Sequence, residues 1–574
     1  MLDNCEHLRR ACAELVADLL SAAPQLVVLA TSRCPLEVPG ELVVAVAPLA
    51  VPAPSDDDAA VARSAAGQLL SQRVASARGG SGPQPHEWPA VGELCRRLDG
   101  LPLALELVAA TSSALSLSDV ADTLAGQLLA VDDAPGADQH ADLHGGHHGG
   151  LVGCVRWSLD LLPPSSRDVL QRLSVLPGPF SVQAAAAAAG RSRDEVVPVL
   201  GRLVNASLLE PVTVGGSRFR LLETVRQVVR STVDDRTATR ALDGVLSWAA
   251  DWTEELEPAL RGPTGVRALD RMDDELPVLH AALEHGLAQR DPQHAVRIAA
   301  AMSAAWAFRG HLADGQRWLD RALAAADSVP AALRVRLLLA AGSHRSLMGD
   351  LDGFSRLVDT ALTLARETAA APDVLKALLW SARSLLLRGA GTAARALYEE
   401  ALALGSEVGD RSGVASALAG LGDDATAAGA LDRAEDLHRQ SLAAFRAAGD
   451  VHGEGQALLN LAETLRRAGR PADADAGFGE ARAAFERIAD RSCVAACDEG
   501  RARVAADEGR AGDAADLLRG VLATRRDLQQ ERLADAAAQA LQQALAAAGR
   551  PAAGTAPGSV RSGSRSSAQP PLLG

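Results

Sequence analysis

The sequence predicts a mostly α-helical chain that ends in an α-solenoid. Three observations carry this. Gly349, Gly389, Gly429, Gly469, Gly509 and Gly549 recur every forty residues without a slip. Ala and Leu dominate a chain with only 3 % aromatic residues, a composition that favours helices packed through small side chains. At 574 residues the chain also exceeds what one hydrophobic core serves, so several domains are expected.

Residues 1–50 read as α/β. Leu8, Cys12, Leu15 and Leu19 repeat at helical spacing, and Leu26-Val27-Val28-Leu29-Ala30 reads as a short buried strand. Strand, helix, strand in this order suits a parallel sheet with crossover connections. Pro52 to Asp58 is an acidic hinge, and residues 51–131 form a helical domain interrupted by the Gly79-Gly80-Ser81-Gly82-Pro83 loop. Residues 132–150 carry His140, His144, His147 and His148 among glycines. A His-rich tract can bind metal, but glycine flanks give it no fixed geometry, so it reads as a linker. Residues 151–235 hold short helices followed by Leu208–Leu222, a hairpin turning at Gly215-Gly216. Helices followed by a hairpin are the layout of a winged helix. A helical connector spans 236–329.

From 330 to 550 other positions share the phase of the glycines: Leu357, Leu397, Leu437 and Leu517; Phe445 and Phe485; Asp410, Asp450 and Asp490. Each unit reads as a helix, a glycine turn and a second, Ala-rich helix. Helix pairs that each leave an apolar face uncovered must stack on their neighbours. The last segment, 551–574, is rich in Gly, Ser and Pro and reads as disordered.

Composition narrows function. The net charge of −15 excludes a chain that coats nucleic acid through its bulk field. Seven scattered cysteines without a CxxC pair fit a reducing compartment, and Cys493 with Cys497, four apart on a helix, read as small packing residues. No signal pattern opens the chain and no run of eighteen apolar residues occurs, so a soluble cytoplasmic protein is expected. No Ser-His-Asp, Cys-His or paired-carboxylate arrangement marks a hydrolytic site. Lys376 is the only lysine, and no Gly-rich loop precedes it.

Four motifs stand in order: Leu2-Asp3-Asn4-Cys5-Glu6-His7-Leu8, Ala30-Thr31-Ser32-Arg33, Cys95-Arg96-Arg97-Leu98-Asp99-Gly100-Leu101-Pro102-Leu103-Ala104 and Arg220-Leu221-Leu222-Glu223-Thr224-Val225-Arg226. Followed by helical repeats, they resemble the NB-ARC or STAND class of signal-transduction ATPases. The resemblance is to the bacterial branch of large ATP-binding transcriptional regulators with tetratricopeptide tails, and it covers residue 1 to about 550. It implies that residues 1–50 are the C-terminal remnant of a P-loop nucleotide domain. Asp3 then stands at the Walker B aspartate, the catalytic position that orients Mg²⁺ and water. Arg33 stands at the γ-phosphate sensor, where a planar guanidinium suits phosphate oxygens. Pro102 packs on adenine. Leu221-Leu222-Glu223 falls on the family's Met-His-Asp element, where leucine cannot supply the histidine's bond to the ADP β-phosphate.

Read without the family, Asp3 is a helix cap, Arg33 a surface arginine and Pro102 a helix breaker. The phosphate-gripping loop is missing from the sequence, as if the chain were truncated before it. ATP or ADP with Mg²⁺, the family's cofactors, are therefore not expected on this chain, nor is ATPase activity. An in-frame Gly-x-x-x-x-Gly-Lys-Thr ahead of Met1 would restore both. Arg218, Arg220, Arg226 and Arg230 lie near the wing, but no second basic helix accompanies them, so no direct DNA-binding domain is expected.

The expected function is regulatory, with the repeats sensing a partner and the family implying self-association. The alternative is a nucleotide-independent tetratricopeptide scaffold that binds a protein or peptide. In either reading the partner surface is the concave face of the first helices, with Trp380, Arg383, Asp423, Asn460 and Glu463 as the contact candidates. A basic or neutral protein segment suits an acidic chain.

Overall fold

A computed structural model describes residues 1–123 and 155–549, apart from Asn4, Pro24, Arg33, Cys34, Ala45, Asp99, Trp157, residues 213–216, Ala369 and Gln529. The His-rich 132–150 tract and the 551–574 tail lie outside the described residues. The chain divides into two compact units, Met1–Leu161 and Leu162–Gly574.

In the first unit, helix α1 (Arg9–Ala22) packs its Val16 face against Cys5 and Leu36. The segment Leu26–Ala30 departs from the buried strand expected of it. It makes one parallel bridge, Leu2 to Ala30, and Val27 is 90 % exposed. A parallel strand buries both faces only between neighbours, and among the described residues only the Leu2 stretch pairs with it. Helices α2 (Asp58–Arg63), α3 (Ala65–Ala77), α4 (Trp88–Arg97) and α5 (Pro102–Thr111) form a bundle around Leu70, Val74, Val91, Leu94 and Leu105. Glu87 ties this bundle together. Its buried carboxylate accepts from Arg78 Nη1 at 2.6 Å and Nη2 at 2.8 Å, and from the backbone amides of Gln84 and Leu117. The arginine hydrogen bonds, aided by those amides against the cost of burial, hold the Glu87 carboxyl down at about 2.

The second unit opens with the winged helix: α6 (Pro164–Leu173), α7 (Val182–Ala189), α8 (Arg193–Asn205) and α9 (Glu223–Ser231). Ser192 and Glu195 close a capping box on α8. Strands β1 (Phe180–Ser181), β2 (Glu210–Val212) and β3 (Arg218–Arg220) form an antiparallel sheet in the order β1-β3-β2, with Phe219 opposite both Phe180 and Pro211. The hairpin is where the sequence put it. Its Gly215-Gly216 turn lies outside the described residues.

The connector comprises α10 (Asp235–Leu256), a 3₁₀ turn Glu257–Arg261, α11 (Gly265–Leu287), α12 (Gln293–Arg309) and α13 (Leu312–Ala325). At Gly244 a β-carbon would lie 2.3 Å from the Ala187 carbonyl oxygen, so glycine lets α10 approach α7 closely.

Eleven helices follow in strict alternation: α14 (Ala331–Leu347), α15 (Leu351–Thr368), α16 (Ala371–Leu387), α17 (Gly391–Val408), α18 (Arg411–Ala427), α19 (Leu431–Ala448), α20 (Val451–Arg467), α21 (Pro471–Glu486), α22 (Arg491–Asp507), α23 (Ala511–Asp527) and α24 (Glu531–Ala547). All six phased glycines have positive φ, between 68° and 84°, five of them ending the first helix of a pair and Gly549 following α24. Asp410, Asp450 and Asp490 cap α18, α20 and α22 by accepting from the amide three residues on. The solenoid curls back on the connector. The Glu257–Arg261 turn meets α20, α12 meets α22, and a β-carbon at Gly310 would lie 2.6 Å from Leu528.

Candidate functional site

Two groups of residues invite a functional reading, one in each unit. In the first, Asp3 is exposed and its carboxylate accepts from the Thr31 hydroxyl. The Leu2 amide donates to the Leu29 carbonyl at 2.8 Å, and the Thr31 amide returns the bond to Leu2 at 2.9 Å. The first two motifs are thereby brought together, whereas Arg33 lies outside the described residues. Pro102 is exposed at the first position of α5, where its missing N–H costs nothing. The glycine two residues earlier is structurally required. Gly100 has φ of 63°, a β-carbon there would lie 2.0 Å from the Leu49 carbonyl oxygen, and its own carbonyl accepts from the Leu49 amide at 3.0 Å.

In the second unit the inner helices of the repeats carry a charged ladder. Arg383, Asp423, Glu463 and Arg503 occupy the same position of α16, α18, α20 and α22, forty residues apart. Asp423 is half-buried. Burial pushes its carboxyl up to about 7, against the opposing pull of Arg383 and Arg467. Behind it His438 is fully buried with its Nε2 3.8 Å from Asp423 Oδ1, and desolvation lowers it to about 4. Glu463 is 2 % exposed and accepts from Arg466 and Arg467, with Arg503 at 3.8 Å. Burial alone would raise its carboxyl, but the arginines outweigh it and hold it below the usual carboxylate range. Trp380 is half-buried with its ring edge-on to Phe354, 5.9 Å between centroids.

Two of the five expected contact residues are therefore not open surface. Asn460, at 3 % exposure, accepts from Gln456, and Glu463 is sealed by its arginines. Their partners lie on α20 itself, Gln456 for Asn460 and Arg466 with Arg467 for Glu463, joined by Arg503 of α22. Trp380, Arg383 and Asp423 retain partial exposure. Arg503 escaped the sequence reading, although adding the forty-residue period to Glu463 points to it.

The basic residues of the wing divide in the same way. Arg218 is buried and donates to Glu275 of α11 at 2.8 Å, to the Pro179 carbonyl at 2.9 Å and to the Asp274 carbonyl. Arg220 pairs with Glu210 at 2.8 Å. Arg218 is thus an anchor between wing and connector.

Comparison with known proteins agrees with this architecture. Residues 162–234 match the winged helix-turn-helix domain family, and residues 373–447 match the tetratricopeptide repeat family. The crystal structure of a signal transduction ATPase with numerous domains, a STAND protein with a tetratricopeptide repeat sensor from Pyrococcus horikoshii, is 13 % identical; the match has a TM-score of 0.47 and covers 96 % of this chain and 78 % of that one. In sequence, the "Putative HTH-type transcriptional regulator Mb0914c" of Mycobacterium bovis is 32 % identical over 395 residues, 66 % of this chain and 42 % of the relative. The chain thus carries a winged helix-turn-helix segment and tetratricopeptide repeats, and over 395 residues it is similar to a putative mycobacterial transcriptional regulator. It spans about two fifths of the length of that mycobacterial relative. A second M. bovis protein, Mb0918, is 34 % identical over 234 residues, 40 % of this chain and 55 % of its own length. Among the described residues, no helix is long and apolar enough to cross a membrane.

Proposed function

We propose that this chain is the sensing and relaying part of a transcriptional regulator, in which the inner face of the repeats binds a protein or peptide segment and the connector passes the event to the winged helix. The observation that carries the reading is the Arg383–Asp423–Glu463–Arg503 ladder on four successive inner helices. Charged side chains in phase along one face of an Ala-rich solenoid cost desolvation, and such a cost is easily understood at a surface that reads a partner. Partial exposure of Trp380, Arg383 and Asp423 supports entry of the partner at that end of the groove. The buried Arg218–Glu275 pair supports the relay, because it ties the wing to α11. Two structures of Rap proteins, one complexed with Competence and Sporulation Factor and one with the Phr* peptide, share the repeat architecture only distantly, at 12 % and 11 % identity.

The nucleotide side is read differently. Asp3, Arg33 and Pro102 are proposed as vestiges of the family's ATP site, and the relay as independent of nucleotide held by this chain. The sequence offers no lysine other than Lys376 to grip phosphates.

Panning a random peptide library against the full chain tests the partner surface. Selected peptides should bind Trp380→Ala/Arg383→Ala at least about tenfold more weakly, the loss of one or two contacts of ordinary size. Equal binding to both proteins would place the partner surface elsewhere.

A further inference from the structure

The turn between α21 and α22 departs from the repeat pattern in a way that assembles metal-binding chemistry. At the third position of the first helix, two repeats carry Gly413 and Gly453, whereas the next carries Cys493. One position earlier the three residues are Ser412, His452 and Ser492. The turn before Cys493 uses Ala489 at φ 55° where the preceding repeats use Gly409 and Gly449. These departures converge in space. One donor atom each from His452, Asp490 and Cys493 lies within 4.8 Å of the others, and Asp490 and Cys493 are buried.

We propose that His452, Asp490 and Cys493 form a binding site for a divalent transition metal of the zinc class, clasping two successive repeats. Imidazole, carboxylate and thiolate are the donor set such an ion takes, and three protein ligands leave a fourth position for water. Bond lengths of about 2.0–2.3 Å put tetrahedral donors about 3.5 Å apart. His452 Nε2 and Asp490 Oδ2 already stand at 3.5 Å. The Cys493 sulfur lies within 4.8 Å of both, so coordination asks it to approach by roughly 1 Å. Asp490 Oδ1 stays on the Cys493 amide at 2.9 Å, so the helix cap survives ion binding and orients the ligating oxygen. The positive end of α22 opposes a cation here, and two anionic ligands on a dication offset it. Arg525 is itself committed to Glu499, Ser492 and Gln530. The site also touches the connector. The Phe308 ring of α12 lies 5.8 Å from that of His452, which in turn meets Phe485 edge-on at 5.7 Å. Fixing the imidazole therefore fixes a contact through which the connector rests on the repeats.

The test uses the full chain, reduced and stripped with EDTA, then titrated with Co²⁺. A thiolate-to-cobalt charge-transfer band should grow and saturate at one equivalent, and Zn²⁺ should bleach it. The His-rich tract cannot produce this band, because it offers no thiolate. Cys493→Ala should abolish the band; the glycines at the equivalent positions show that the fold accepts a small residue there. Asp490→Asn, which keeps a capping oxygen, and His452→Gln should each weaken Co²⁺ binding at least about tenfold, as loss of a ligand costs no less than loss of an outer-shell partner. Cys497→Ala should leave the band intact. No thiolate band in the wild type, a band that survives Cys493→Ala, or one lost in Cys497→Ala alone would each overturn the proposal and leave the trio as a helix cap with its neighbours.

Discussion

Arg218→Ala removes the cation paired with the buried Glu275 carboxylate. In the intact protein Glu275 Oε1 accepts from Arg218 at 2.8 Å and from the Ser181 amide at 3.1 Å, while Oε2 finds no partner among the described residues. Burial already raises the Glu275 carboxyl, and the guanidinium is the main influence lowering it. Truncating one partner of such a pair costs about 3–5 kcal/mol, because a charge is left buried and alone. The unit is large and multi-part, so one melting temperature would not isolate the effect. Hydrogen exchange of the amides of Phe180, Phe219 and α11 does isolate it. A loss of about 3–5 kcal/mol accelerates opening about 100-fold to several thousand-fold. The sign of the pH dependence follows from the raised carboxyl. A proton neutralises Glu275 in the folded variant, so the defect should shrink as pH falls and grow as pH rises through the raised range of this carboxyl. Replacing both partners, Arg218→Met with Glu275→Leu, should recover most of the stability. Wild-type exchange in Arg218→Ala, coupled with weakened DNA binding, would refute the reasoning and restore Arg218 as a nucleic-acid contact.

Other outcomes follow from the same geometry. Glu87→Gln should remove an acid-sensitive contribution on the order of 3 kcal/mol from the first unit. That contribution is fully present above the unfolded carboxyl range and is lost as pH falls toward about 2, so wild type and variant should converge in acid urea melts. Gly429→Val should cost about 1–3 kcal/mol, because a β-branched residue resists φ of 76°, and Gly429→Asn should cost less, since nothing crowds the position. Circular dichroism melts would check both. Isothermal titration of the chain with Mg²⁺-ATP should show no micromolar binding, and binding abolished by Arg33→Ala would contradict the vestigial reading of the nucleotide motifs.

Much of this molecule was legible because its signals are local. The phased glycines fall at the helix ends where φ is positive, and the turn chemistry needs only a few neighbouring residues. The wing hairpin was visible for the same reason. What stayed hidden depends on distant partners. Val27 and Leu29 have the residue types of a buried strand, yet burial needs neighbouring strands that no local pattern supplies. Arg218 reads as a basic wing residue until Glu275, 57 positions away, packs against it. Asn460 and Glu463 sit on the expected helix, yet their side chains are taken up by Gln456 and by Arg466 and Arg467. The charged ladder emerged once the forty-residue phase was followed from helix to helix.

The central claim is that the inner face of the repeats senses a partner and that the connector relays it. Hydrogen exchange of the full chain, with and without the tightest peptide recovered by panning, tests this most directly. Protection of the inner helices around Trp380–Arg383 and Asp423, together with altered exchange in Glu257–Arg261 and α11, is the predicted result. Protection confined to the outer helices α17, α19 and α21, with no change in the connector, would contradict it.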